Sequence, residues 1–471
     1  MENYITKFNT EAEYNTFKDS PQMPYVNASY IIETGENKFY KEIYAQQQKP
    51  FTIEILSDDG SEHVHGIGLW QNTSGTCYWA VIRNNVRYEY SFNYNAGWDQ
   101  CRLWPSPYKL GGRFLVGDKI EIICKNIPDD EHKPDVIELV FLGPGDWYSN
   151  SYPGDLTVKV SGNIMSLFTN NYVYATPLGL GMDNGVGGFR FCTMRWFFNS
   201  EDPNNAASSI LVNAEDLFLP SRGLPRYAFE EMFKNAIGLV KGPNIYTKNS
   251  TEGICRSMFT GCTSLTHMPD IYIENIINGW GELTTMFEGC TSLVNTTTLH
   301  FKTIYDTWSD ADGCFVGMFR GCTSLVDAPA WNEDYEILNK SGNAFYNMFE
   351  GCTSLETCDW NIYPEDSSIS PMFRNTFKDC NALLQGPALN RGTDYIGGIY
   401  DSLYNGTYSS LNEFNYGKCA GPIHFNQSSF AASGTIYVAD NSVYLDSSSQ
   451  YYGQTPIQGW TVEAISNYPT T

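Results

Sequence analysis

An octapeptide of the form MFxGCTSL occurs four times in the C-terminal half of the chain, beginning at Met258, Met286, Met318 and Met348. Relaxed copies begin at Met232 (MFKNAIGL) and Thr376 (TFKDCNAL), with fainter ones at Trp196 (WFFNS) and Leu403 (LYNGT). From Met232 onward, successive copies lie 26 to 32 residues apart, the length of one supersecondary unit in a stacked solenoid. Such a unit cannot bury its apolar face alone, so the pattern predicts coils that complete one another's cores.

Aligned copy by copy, each position states a physical requirement. The third position reads Thr260, Glu288, Arg320, Glu350 and Lys378; it accepts either sign of charge and must face water. The fourth reads Asn235, Gly261, Gly289, Gly321, Gly351 and Asp379, residues that tolerate a left-handed backbone, which predicts a helix C-cap or a tight turn. The fifth admits only small side chains: Ala236, Cys262, Cys290, Cys322, Cys352 and Cys380.

Phe259, Phe287, Phe319, Phe349 and Phe377, with Leu265, Leu293, Leu325, Leu355 and Leu383, are then the stacked interior. Each buried side chain contributes roughly 1.5–3 kcal/mol. Each coil is expected to hold a short helix ending at Met-Phe, a glycine turn and a short strand after Ser-Leu, with Pro243, Pro269, Pro329 and Pro387 ending that strand.

Thirteen cysteines occur without a CxxC pair. Their spacing reads as reduced, buried thiols that act as small apolar groups, rather than as a disulfide framework or zinc ribbon. A net charge of -24, from 53 acidic and 29 basic residues with no Lys/Arg run, argues against nucleic acid and anionic membranes as partners, since phosphate binding needs clustered cations. No apolar stretch has the length of a membrane span. The opening MENYITKFNTEAEYN lacks the basic and apolar regions of a secretory signal.

Between residues 48 and 160, FTIEIL, CYWAVI, YEYSFNY, KIEIIC, VIELVF and LTVKV alternate with Gly/Asn/Asp/Pro clusters, which predicts a β-sandwich. Residues 1–47 read as a separate arm. Thr10 and Glu13 fit a capping box opening a helix through Phe17, and YVNASYIIETGENKFYKEIY reads as two strands about a turn at Thr34–Asn37. Residues 434–471, with GTIYV and GWTVEAI, read as a β cap on a solenoid of residues 161–433. The expected fold class is therefore multidomain: N-terminal arm, β-sandwich, α/β solenoid and C-terminal β cap.

The repeat motif at this spacing resembles the BspA-like leucine-rich repeat. Ser161–Leu167 (SGNIMSL), Leu211–Pro220 (LVNAEDLFLP) and the closing GTIYV and GWTVEAI resemble the entry and cap of such arrays. The opening KFNTEAEYNTFKDSPQMPYVNASYIIETGENKFY is similar to the start of virion proteins of phages infecting gut Bacteroidota, including crAss-like phages. The resemblance implies a structural virion protein (head, collar, tail fibre or decoration) in the particle. It would be held to other virion proteins through residues 1–47, homo-oligomeric (trimeric by analogy), and turned toward a host-surface glycan or protein. The alternatives are a bacterial surface adhesin with the same repeats and a capsule-degrading tailspike.

No catalytic, metal or cofactor site is expected. Asp310 and Asp312 in WSDADG, and Asp129, Asp130 and Glu131, could be an acid pair or a calcium loop, yet solvated loop acids are the commoner fate of such clusters. His63 and His65 share a strand face without a visible third ligand, and GLGMDNGVGG (Gly179 to Gly188) does not sit at a strand-to-helix transition. Trp98, Trp104, Trp147, Tyr148 and Tyr152 lie beside Gly, Pro, Asn and Asp. There, rings can offer flat apolar faces to sugars or protein surfaces.

Overall fold

A computed structural model describes residues 7–8, 31–32, 49–57, 66–72, 75–94, 98–103, 114–126, 137–142, 156–168, 210–221, 224, 226–276, 281–304, 313–330, 336–337, 345–358, 361–362, 376–383, 388–389, 435–438, 445–448, 452–453, 461–464 and 467. The chain divides into two units, Met1–Ala228 with Lys241–Thr247, and Phe229–Val240 with Lys248–Thr471.

In the first unit β1 (Lys7–Phe8) and β2 (Ile31–Ile32) form a short parallel pair. The helix from Thr10 and the turn at Thr34–Asn37 lie outside the described residues. Then come β3 (Phe51–Ser57), β4 (Gly66–Asn72), β5 (Gly75–Arg83), β6 (Val86–Tyr94), β7 (Trp98–Leu103), β8 (Lys119–Asn126), β9 (Ile137–Leu142), β10 (Thr157–Asn163) and β11 (Leu211–Phe218). They form a six-stranded sheet in the order β11-β10-β3-β8-β5-β6 and a three-stranded antiparallel sheet β7-β4-β9.

Period-2 alternation explains the six-stranded sheet. Phe51, Ile53 and Ile55 of β3, Ile120, Ile122 and Cys124 of β8, Trp79 and Val81 of β5, and Val158 and Val160 of β10 are all buried on its inner side. The sheet is mixed, because β11 joins β10 in parallel from beyond the boundary expected at residue 160. The 3-10 turn that follows β10, Ile164–Leu167, is fastened by Ser166: the hydroxyl donates to Ile122 O at 2.7 Å and accepts from Phe51 N at 2.8 Å. Gly162 is required beside it. Its φ is +77°, and a Cβ there would stand 2.0 Å from the Pro50 carbonyl oxygen.

The second half contains β12 (Ile245–Asn249), β13 (Ile271–Ile276), β14 (Leu299–Ile304), β15 (Glu336–Ile337), β16 (Asn361–Ile362), β17 (Ala388–Leu389), β18 (Thr435–Val438) and β19 (Thr461–Ala464). β13, β14 and β15 run parallel in register, as do β16 to β19. β18 and β19, from the segment read as a cap, thus continue the same parallel ladder. β12 and β13 each begin two residues after a proline (Pro243 and Pro269) and β17 begins directly after Pro387, so these prolines precede a strand rather than ending one. A proline has no N–H to lose ahead of a ladder, so it suits that entry.

The expected α/β class of the repeat is overturned: among the described residues no α-helix occurs, and the sheets supply the regular structure. The Met-Phe segment is a ribbon of tight turns. Every fourth residue adopts a left-handed conformation: Tyr227, Glu231 and Asn235 in one coil, Gly253, Ser257 and Gly261 in the next, Gly281, Thr285 and Gly289 in a third, all with φ between 53° and 75°. A helix cannot continue through such residues.

Hydrogen bonding divides accordingly. Alternate N–H groups bond within the coil, three residues back, as in Met258 N to Cys255 O (3.1 Å) and Cys262 N to Phe259 O (3.0 Å). The others cross to the next coil: Phe259 N to Met286 O, Phe287 N to Met318 O, Phe319 N to Met348 O and Phe349 N to Thr376 O, each at 2.8 Å. The fourth octapeptide position is therefore the tight turn and not a helix cap.

Candidate functional surface

The interior of the stack is built first, because it determines what remains outside. Phe233, Phe259, Phe287, Phe319, Phe349 and Phe377 form one column, successive ring centroids 5.3–5.5 Å apart and planes within 11° of parallel. Leu265, Leu293, Leu325, Leu355 and Leu383 are fully buried alongside them, as are the repeat methionines Met258, Met286, Met318 and Met348.

The cysteine column is equally interior. Cys262, Cys290, Cys322, Cys352 and Cys380 are buried and not in disulfides. Each thiol donates to a phenylalanine carbonyl of the preceding coil: Cys262 Sγ to Phe233 O (3.1 Å), Cys290 to Phe259 (3.2 Å), Cys322 to Phe287 (3.1 Å), Cys352 to Phe319 (3.0 Å) and Cys380 to Phe349 (3.1 Å). Burial pushes all five thiols up, that of Cys352 to about 12, and the same holds for Cys255. A thiol so held is neither nucleophile nor metal ligand at neutral pH. Among the described residues, no three His, Cys, Asp or Glu side chains are grouped to hold a metal ion.

Three kinds of column run along the outside. At the third octapeptide position, Arg320 pairs with Glu288 (Nε to Oε1, 2.9 Å) and Lys378 with Glu350 (2.5 Å), coil to coil. In the turn after it, Thr263, Thr291, Thr323 and Thr353 are exposed in successive coils. After the repeat leucine, Val240, Val294 and Val326 are exposed, and the following residues bond across the bridges between coils, Asn295 Nδ2 to His267 Nε2 at 3.2 Å and Thr357 Oγ1 to Asp327 Oδ1 at 2.5 Å.

On the parallel sheet, Tyr272 and His300 stand side by side in β13 and β14, 46% exposed in the case of Tyr272, with ring centroids 5.8 Å apart and planes 31° apart. This aromatic pair is absent from the sequence-derived candidates. The signal for it was present: Ile271 and Ile273 flank Tyr272, so period-2 alternation turns the ring outward once a strand is recognised there.

Of the sequence-derived surface aromatics, Trp98 opens β7, its backbone opposite Asn72. Trp104, Trp147, Tyr148 and Tyr152 lie outside the described residues. So do Asp129, Asp130, Glu131, Asp310, Asp312, His63, His65 and the Gly179 to Gly188 loop. The described coils thus offer a regular lateral surface of ion pairs, hydroxyls and an aromatic pair over an interior of rings, leucines and thiols.

No protein-family model, curated protein or solved structure matches this chain. Among the described residues no helix is long and apolar enough to cross a membrane.

Proposed function

We propose that this chain is a structural component of a phage particle (head, collar, tail fibre or decoration) that presents the lateral face of its stacked coils to a host-surface glycan or protein. The observation that carries the reading is the coil-to-coil ladder. Backbone bonds of 2.8 Å and an unbroken phenylalanine column hold successive rungs in one register. Outward side chains are thereby fixed at repeating intervals, and a surface preorganised in this way contacts an extended partner with little ordering entropy.

The similarity of the opening segment to virion proteins supports the particle, and residues 1–47 are its anchor to other virion proteins. Binding and not turnover is its task. The test is mass spectrometry of purified particles, followed by deletion of residues 1–47 and measurement of incorporation; absence from particles, or unchanged incorporation of the deletion, defeats the reading. Release of new reducing ends from host capsule would replace a binder with a depolymerase.

A further inference from the structure

β6 is the last strand of the six-stranded sheet, and among the described residues no strand pairs with its outer side. Its hairpin with β5 turns at Asn84-Asn85, both at positive φ (49° and 68°), with Arg83 opposite Val86. In a two-residue hairpin the flanking residues are a hydrogen-bonded pair. Val86, Tyr88 and Tyr90 therefore direct their N–H and C=O toward β5, and Arg87, Glu89 and Ser91 direct theirs outward, where all three are exposed.

Long edge strands are templates for pairing, which native proteins limit with charged side chains, prolines, bulges or short length. β6 carries opposite charges two residues apart: Arg87 donates to Glu89 within the strand at 2.7 Å, Lys125 of β8 also pairs with Glu89 at 2.7 Å, and Arg87 and Glu89 are each about half exposed. Val86, 54% exposed, lies on the other face of the strand.

We infer that β6 is a homodimer interface, in which the strand pairs antiparallel with β6 of a second copy about a two-fold axis through Tyr88. This register sets Arg87 opposite Glu89 of the second copy and Glu89 opposite its Arg87. Both residues have their backbone groups facing outward, so four backbone hydrogen bonds form, and the Arg87–Glu89 pair within each strand is exchanged for a pair across the axis. On the other face Tyr88 meets its own copy and Val86 meets Tyr90, the aromatic and β-branched neighbours that stabilise antiparallel pairs.

The neighbouring registers are excluded by charge. Moving the axis to Arg87 sets arginine against arginine, and moving it to Glu89 sets glutamate against glutamate. An isologous contact of this kind closes at two copies, in place of the threefold arrangement implied by analogy with phage fibres. The inference does not depend on the proposed virion role.

The test is the mass of the full chain in solution by sedimentation across a concentration series. Wild type is expected to form a dimer. Arg87→Glu raises its dissociation constant by about tenfold or more, since both cross-strand pairs become repulsive. The exchange Arg87→Glu with Glu89→Arg, made together with Lys125→Glu so that position 89 keeps an opposite charge within its own chain, restores it, a result that general damage to the fold cannot produce. Tyr88→Cys is expected to cross-link the dimer on mild oxidation, because the facing residues of a non-hydrogen-bonded pair stand about 4.5 Å apart at Cα, within disulfide reach. A wild-type monomer throughout, or an oligomer that Arg87→Glu leaves unchanged, overturns the inference.

Discussion

Replacing Phe319 by alanine tests the phenylalanine column at its centre. The ring is fully buried, and it lies 5.4 Å from both the Phe287 and the Phe349 centroid, with planes 11° and 8° from parallel. Truncation removes the transfer free energy of the ring and leaves a cavity between two rings held in place by their own backbone bonds, so the site cannot collapse. The expected loss is about 3–5 kcal/mol. Phe319→Leu separates the two contributions: it keeps most of the buried volume and loses two stacked pairs, each worth about 0.5–1.5 kcal/mol. It should cost about 1–3 kcal/mol. Urea denaturation with linear extrapolation measures both variants, and hydrogen exchange locates the damage. The amides of Phe287 and Gly289, which donate to Met318 O and Arg320 O, should lose protection first. A loss below about 1 kcal/mol for alanine, with exchange unchanged at those amides, would refute the shared interior.

Two glycines should behave oppositely. Gly162→Ala forces a Cβ to 2.0 Å from the Pro50 carbonyl oxygen and should abolish folding of the six-stranded sheet or cost well over about 2 kcal/mol; Gly321→Ala meets only the Gly289 backbone, at 3.8 Å, and should cost the left-handed penalty of about 1–2 kcal/mol. Thermal melts of the two variants give the comparison. Asp118 accepts from Leu115 N at 2.8 Å, Asn84 Nδ2 at 2.7 Å and Arg83 Nε at 3.0 Å, with Arg83 lying over the Phe114 ring. Asp118→Ala strands a buried guanidinium and should cost about 3–5 kcal/mol by denaturation, against under about 1 kcal/mol for Glu288→Ala in the exposed ladder. The buried thiols predict alkaline lability. Their folded pKa is raised above the ordinary 9.0, so only the unfolded chain loses these protons as pH climbs past 9, and stability falls with rising pH. All six thiols act in the same direction, so the fall steepens as pH rises further above 9. Denaturation midpoints from pH 7 to 10 should show this fall, and Cys322→Ala should make it shallower; a flat profile would place the thiols in water.

The stacking was legible because comparison of the copies isolates one requirement per position. A column of Phe, a column of Cys and a column of Gly, Asn and Asp can only mean interior ring, interior small group and left-handed turn. The helix was misread for a local reason. Glu231, Ser257 and Thr285 occupy left-handed positions one residue before Met, yet none is a residue type that announces such a backbone. Gly317 occupies the same position in its own coil. Gly317 and Asn347 were the available hints, and the copies with Glu231, Ser257 and Thr285 masked them. Strand placement failed at the prolines for a similar reason: a proline bounds a strand from either side, and only the ladder itself says which. The edge register of β6 was legible in principle from Asn84-Asn85 and the alternating Arg87 and Glu89, but the strand's place at the sheet margin depends on pairings more than 30 residues away.

The division of backbone hydrogen bonds has a consequence for what the stack can do. In a helix every N–H is satisfied within its own segment, so neighbouring segments are joined by side chains alone and can slide or tilt. Here half of the N–H groups in each Met-Phe ribbon are satisfied only by the next coil. Displacing one rung by a residue would therefore break several backbone bonds at once, together with a thiol-to-carbonyl bond and a phenylalanine contact on each side. Each lost buried bond carries a penalty of about 1–3 kcal/mol. Register along the axis is thus a property of the backbone, and the exposed residues inherit it: the ion pairs at Glu288 and Arg320, and Tyr272 beside His300, keep their spacing without needing contacts of their own to hold it. Substitution of those outward residues should leave the stack intact, and under the proposed attachment role it would change binding alone, separating scaffold from contact surface.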